Sequence, residues 1–87
     1  MSRDLEKNVI SIISQFRGRL ADEWVDEYIL LAEHNECGIA LENLCDQLFE
    51  FDVVPTREEL QEIKSLAGCL GIERKSIHLL ATNSGVE

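Results

Sequence analysis

The sequence predicts an all-α fold, a small antiparallel bundle of four main helices. Apolar residues recur three and four positions apart along four segments, and glycine, asparagine or proline separates one segment from the next. The chain has 87 residues, of which 45% are hydrophobic, enough for one modest core. Because no repeat or linker divides it, residues 1–87 are expected to form a single domain with a frayed tail at 82–87.

The first two helices are predicted from their caps and apolar stripes. The first runs from Ser2, its expected N-cap, to Arg17, and Gly18 stops it. Its apolar positions are Leu5, Val9, Ile12, Ile13 and Phe16. The second begins at Asp22, again as N-cap, and ends near Asn35 or Glu36. Its stripe comprises Trp24, Val25, Tyr28, Ile29 and Ala32.

The third and fourth helices flank a proline turn. Helix three is predicted over 38–51, and Pro55 forbids its continuation. Its buried face is expected to hold Leu41, Leu44, Cys45, Leu48 and Phe51. Thr56 and Glu59 spell a capping box that begins helix four, which Gly71 ends. The core side of helix four is Leu60, Ile63, Leu66, Ala67 and Leu70. Beyond it, residues 72–80 are expected to form either a short fifth helix or an extended segment.

The charge distribution is the most informative bulk property. The chain carries 17 acids and 8 bases, a net charge of −9. Ten of the acids, and no lysine or arginine, lie between positions 22 and 52: Asp22, Glu23, Asp26, Glu27, Glu33, Glu36, Glu42, Asp46, Glu50 and Asp52. Since nucleic-acid binders need a basic surface to neutralise phosphate, direct DNA or RNA binding is disfavoured. A basic protein partner is the natural converse.

These acids also oppose helix formation. Like charges four residues apart destabilise a helix by about 0.2–0.5 kcal/mol per pair, roughly 1–2 kcal/mol for the four pairs in this region. The pairs are 22/26, 23/27, 42/46 and 46/50. Solubility alone, or the helix dipole near helix starts, accounts for any single acid. The complete lack of bases across the segment favours a binding surface.

The predicted partner-binding residues lie on helices two and three, with two apolar residues set among the acids. Leu30 and Phe49 would anchor a partner, as apolar side chains ringed by polar ones commonly do. The alternative is that both pack against another helix of the bundle. The full set is Glu23, Asp26, Glu27, Leu30, Glu42, Asp46, Phe49, Glu50 and Asp52.

Catalytic and metal chemistry are not indicated, so we expect a non-enzyme without cofactor or metal. The carboxylates look alike and exposed, whereas general acid–base pairs need separated pKa values, and no phosphate-binding loop or hydrolase motif occurs. His34-x-x-Cys37 with Cys45 lacks the four paired ligands of a structural zinc site. Asp46, Glu50 and Asp52 do not fit a calcium-binding loop.

The cysteines and the N-terminus predict a cytoplasmic protein. The sequence has three cysteines, an odd number, which suggests reduced thiols rather than a disulfide framework. We expect all three to be buried as small hydrophobic residues. The sequence shows neither a secretion signal nor an apolar run long enough to span a membrane.

Residues 40–72 read ALENLCDQLFEFDVVPTREELQEIKSLAGCLGI. This stretch comprises an acidic helix, a proline turn and a helix ending in L-x-G-x-L-G-I. It resembles small immunity proteins of bacterial polymorphic-toxin and contact-dependent growth-inhibition systems, particularly the MafI-like group. The resemblance covers about positions 25–72. It implies a helical protein that binds and silences a cognate toxin, commonly a nuclease such as an RNase.

The expected complex contains one copy of each protein, and the free chain is expected to be a monomer. Nuclease toxins handle polyanions with basic sites, so an acidic protein can dock at such a site or beside it. The alternative is a helical adaptor or structural bundle that self-associates or binds a partner helix through an apolar groove.

Overall fold

The computed structural model describes residues 3–72, which form four α-helices and no β-strand. They are α1 (Arg3–Ser14), α2 (Asp22–Glu33), α3 (Cys37–Glu50) and α4 (Arg57–Leu70). The predicted all-α bundle is therefore confirmed. The expected N-cap Ser2, the fifth helix or extended segment and the tail at 82–87 lie outside the described residues.

Successive helices run in opposite directions. The ring of Trp24, near the start of α2, lies 5.1 Å from that of Phe51, just beyond the end of α3. Arg19, which follows α1, hydrogen-bonds Glu59 in the first turn of α4. Helices α1 and α3 each pack on all three others, whereas α2 and α4 do not touch each other. Consequently α1 and α3 lie across the short diagonal of the bundle.

A single core fills the space between the helices. The predicted stripes of α1 and α4 contribute Val9, Ile12, Ile13, Phe16, Leu60, Ile63, Leu66 and Ala67, all buried. From α2 and α3 come Val25, Tyr28, Ala32, Cys37, Ala40, Leu41, Leu44, Cys45 and Leu48. Since burying one large aliphatic side chain contributes about 1.5–3 kcal/mol, this core is the main source of stability.

The predicted start and end of α4 are both confirmed. The Glu59 backbone N–H donates to Thr56 Oγ1 at 3.1 Å, and the Thr56 N–H donates to Glu59 Oε1 at 2.9 Å. These two bonds complete the capping box. Gly71 has a φ of 71°, the left-handed conformation typical of a residue that ends a helix.

Helices α2 and α3 also end next to left-handed residues, although neither is glycine. Asn35 has a φ of 64° and Asp52 a φ of 54°. After α3, the Val53 N–H donates to the Leu48 carbonyl at 2.9 Å, which is the long hydrogen bond of a Schellman motif. Asparagine tolerates this conformation well, whereas aspartate at position 52 occupies a site that favours glycine.

Several predicted positions differ from the structure, among them the end of α2, which lies at Glu33 rather than near Asn35 or Glu36. Helix α1 ends at Ser14, three residues early, because the Arg17 N–H bonds the Ser14 carbonyl at 3.1 Å in a tighter turn. Asp22 is the first residue of α2, and its N-cap position is held by Ala21 without a side-chain hydrogen bond. Phe51 falls just after α3 and is 53% exposed rather than buried.

Candidate protein-binding surface

The acidic side chains of α2 and α3 lie on the outside of the bundle. Nine of the ten acids between positions 22 and 52 are exposed, and Glu42 is half-buried. Burial raises the pKa of Tyr28, and the carboxylates of Glu27 on α2 and Asp46 on α3 raise it further against the opposing effect of Gln47. Two acids from neighbouring helices therefore act on one phenol at the seam between α2 and α3.

The same acids influence a core thiol. Burial raises the pKa of Cys45 to about 12, with added contributions from Asp46 and Glu42. Burial likewise raises the pKa of Cys37, so both thiols are protonated at neutral pH. The prediction that all three cysteines are buried was wrong for Cys69, which faces solvent because it lies outside the apolar stripe of α4.

Arg17 neutralises two carboxylates at one edge of the acidic region. Its Nη2 lies 2.7 Å from Asp26 Oδ1, and its Nη1 lies 3.6 Å from Asp22 Oδ1. The hydrogen bond to Asp26 is the main reason that the pKa of Arg17 is raised. Sequence reasoning missed this contact because Arg17 precedes the base-free segment and reaches α2 only when the chain turns at Gly18.

The two predicted apolar anchors are exposed. Leu30 is 54% exposed on α2 and Phe49 is 42% exposed on α3, so neither side chain is buried against another helix. Ile39, Phe51 and Val54 are also large, apolar and exposed. Single exposed apolar side chains are common on protein surfaces, so only those that lie beside the acids bear on partner binding.

Phe49 lies on a different side of α3 from the residues that face α2. Gln47 and Phe51 mark the side of α3 that faces α2, through Tyr28 and Trp24 respectively. Phe49 follows Gln47 by two residues, about 200° around the helix, and therefore lies on the flank away from α2. Glu42, Asp46 and Glu50 follow one another at four-residue spacing along α3, and Asp26 lies beside Arg17.

An aromatic pair stands at one end of the α2–α3 seam. The Trp24 and Phe51 rings are tilted by 41° with centroids 5.1 Å apart. Trp24 is half-buried against the core, whereas about half of Phe51 is exposed. Glu50 and Asp52 flank Phe51 along the chain. Phe51 was predicted to lie in the core because the helical repeat was extended one residue beyond the end of α3.

A second polar region lies between α1 and α4, where Glu59 is only 8% exposed. Arg19 donates to both of its carboxylate oxygens, at 3.0 and 2.6 Å, and these bonds lower the pKa of Glu59. The Arg19 guanidinium also lies 4.3 Å above the Phe16 ring. This pair ties the α1–α2 connection to the start of α4, which is a structural task.

Across residues 3–72 no group of three or more histidine, cysteine or acidic side chains is arranged to hold a metal ion. None of the described helices is both long and apolar enough to cross a membrane. Comparisons with protein-family models, curated proteins and solved structures return no match. The fold and the surface thus define a class, a four-helix bundle that presents an acidic face interspersed with exposed apolar side chains.

Proposed function

We propose that the chain is an immunity protein that binds and neutralises a cognate bacterial toxin domain, a nuclease of the RNase type. The contact surface is the acidic face of α2 and α3. The observation that carries the proposal is the exposure of Glu23, Glu27, Asp46 and Glu50, none of which forms an ion pair within residues 3–72. The resemblance of positions 25–72 to the MafI-like group is the reason for proposing a toxin as the partner.

The proposed surface suits a basic protein on physical grounds. Unneutralised carboxylates on adjacent helices steer a cationic partner toward the seam and raise its association rate. Exposed Leu30 and, separately, exposed Phe51 provide apolar contact that retains the partner after encounter. A nuclease meets these requirements because its substrate-binding surface is basic.

The remaining parts of the proposal concern assembly and location. The inhibitor acts in the cytoplasm without catalysis and without a cofactor, as one copy per toxin domain. Docking at the toxin's active site and docking beside it both fit an acidic surface, because either position places negative charge against the basic substrate path.

Charge reversal tests the proposal. The partner is the toxin domain encoded by the neighbouring gene, and stopped-flow association is measured at several salt concentrations. The variant Asp46→Lys/Glu50→Lys should associate at least about tenfold more slowly and with weaker salt dependence. Glu58→Lys/Glu62→Lys is the matched control, because it reverses two exposed acids at the same spacing on α4.

The outcome is read from the two variants together. Slower association for the α3 variant alone supports the acidic face as the docking surface. Equal association rates for wild type and the α3 variant at every ionic strength would count decisively against it. Equal slowing in both variants would show that net charge matters and that the α2–α3 face does not.

A structural or adaptor bundle is the second candidate, and the exposed apolar side chains favour it. Leu30, Ile39 and Val54 would then contact another copy or a partner helix. Sedimentation at several protein and salt concentrations separates the candidates. A stable homodimer that does not respond to salt would favour the adaptor, since apolar contacts are not screened.

A further inference from the structure

The end of α3 combines an exposed aromatic surface with concentrated negative charge. Phe51 is 53% exposed and its ring packs on Trp24. Glu50 and Asp52 lie on either side of it in the chain, and both are exposed. The last turn of α3 has no basic residue, and the C-terminal end of a helix is the negative end of its dipole.

We propose that this aromatic corner, formed by Trp24, Phe51, Glu50 and Asp52, receives an arginine side chain of the protein partner. The inference rests on the proposed function, because it assumes that the partner is a basic protein. It adds the chemistry of one contact: a guanidinium lies against the Phe51 ring and hydrogen-bonds a neighbouring carboxylate.

Arginine fits this corner better than lysine does. A guanidinium is planar and weakly hydrated, so it stacks on an aromatic ring while it donates two hydrogen bonds to a carboxylate. The same combination already occurs within the fold, where Arg19 lies 4.3 Å from the Phe16 ring centroid and bonds both oxygens of Glu59. A lysine ammonium offers charge alone and retains more of its hydration.

Charge complementarity selects a basic protein over other occupants. Nucleic acids and anionic membrane surfaces are repelled by a chain of net charge −9. A second copy of this chain would bring its own Glu50 and Asp52 against the same acids. Binding of a second copy predicts a different result in the test below.

The test uses Trp24, the only tryptophan in the sequence, as a fluorescent reporter. The full-length chain is titrated at low salt with a hexa-arginine peptide and, separately, with a hexa-lysine peptide. We expect the arginine peptide to bind about two- to fivefold more tightly, as a single cation–π contact contributes at an exposed site. Binding should also change the Trp24 emission.

Two leucine variants make the test specific. Phe51→Leu removes the ring and keeps every charge, so the preference for arginine should fall to about one. Phe49→Leu makes the same replacement on the flank away from α2 and should keep the preference. Asp52→Asn should weaken the binding of both peptides, because it removes a negative charge next to Phe51 in the chain.

Each result separates this inference from the proposed function. Tight but equal binding of the two peptides by wild type overturns the aromatic corner and leaves the acidic face intact. Loss of the arginine preference in Phe49→Leu as well as Phe51→Leu also overturns it. If wild type prefers the arginine peptide but does not bind the toxin domain, the aromatic corner stands as an arginine-binding site and the toxin is rejected as the partner. A homodimer that Phe51→Leu dissociates would assign the corner to a second copy.

Discussion

Replacing Glu59 by glutamine should destabilise the fold more than the same replacement at any exposed acid. The Glu59 carboxylate accepts two hydrogen bonds from Arg19, at 3.0 and 2.6 Å, and one from the Thr56 backbone at 2.9 Å. Glutamine has nearly the same size, so packing is retained. Its NH2 group, however, faces the guanidinium, and the negative charge is lost.

The size of the effect follows from these contacts. Hydrogen bonds to charged groups contribute about 1.5–3 kcal/mol, and the amide oxygen of glutamine can still accept one of them. Because the Arg19 side chain is 37% exposed, water compensates part of the loss. We therefore expect the free energy of unfolding to fall by about 2 kcal/mol, which lowers the Tm by roughly 8–16 °C for a domain of this size.

Urea unfolding followed by circular dichroism measures this loss. Glu58→Gln is the matched control, since Glu58 is the adjacent acid in the first turn of α4 and is exposed. Its unfolding free energy should change by less than about 0.5 kcal/mol. If Glu59→Gln and Glu58→Gln unfold at the same urea concentration as wild type, the Arg19–Glu59 pair does not stabilise the fold and the reasoning is refuted.

The same pair predicts a pH dependence. The hydrogen bonds from Arg19 lower the pKa of Glu59 below its ordinary value of 4.5, against the opposing effect of burial. A carboxylate whose pKa falls on folding stabilises the native state above its ordinary pKa, and this contribution is lost as the pH drops through the folded-state pKa. The difference between wild type and Glu59→Gln should be full at pH 7 and should shrink steadily below about pH 4.5.

Three further outcomes are expected. Asp52→Gly should stabilise the fold by about 0.5–1 kcal/mol in urea unfolding, because a φ of 54° suits glycine; a lower stability would contradict this reading of the turn. A thiol-reactive disulfide reagent at pH 8 should label Cys69 rapidly and Cys45 only on unfolding, and rapid labelling of both would contradict the burial of Cys45. Leu44→Ala should cost about 2–5 kcal/mol in thermal unfolding, whereas Leu30→Ala should cost less than about 0.5 kcal/mol; similar losses would place Leu30 in the core.

The elements that could be predicted from the sequence are those fixed by nearby residues. The capping box of Thr56 and Glu59 joins positions three apart, and Gly71 ends its helix through its own backbone conformation. The apolar stripes of α1 and α4 follow the helical repeat, and the side chains they predicted are buried except for Leu5 and Leu70, which are partly buried against the core. Each of these features depends on the chain within one or two turns, so local pattern is enough to locate it.

The features that escaped prediction depend on how the helices meet. Arg19 and Glu59 are 40 positions apart in the chain, and only the antiparallel packing of α1 and α4 joins them. Arg17 reaches Asp26 because the turn at Gly18 folds it back onto α2. From spacing alone, Glu59 is predicted to be a capping residue and Arg17 the last residue of a helix. Neither of their ion pairs is predicted.

The distribution of ion pairs explains how the bundle sustains an acidic face. Of the four acid pairs counted in the sequence, Arg17 bridges 22/26, and the other three oppose folding by about 0.6–1.5 kcal/mol together. The Arg19–Glu59 pair, on the α1–α4 side, contributes a comparable or larger favourable amount. The ion pair of the buried Glu59 thus lies on the α1–α4 side of the molecule, whereas the acid pairs that no base bridges lie on α2 and α3. A cationic partner bound at the α2–α3 side would relieve the repulsion, and this relief is part of the binding free energy by which association raises the unfolding free energy of this chain.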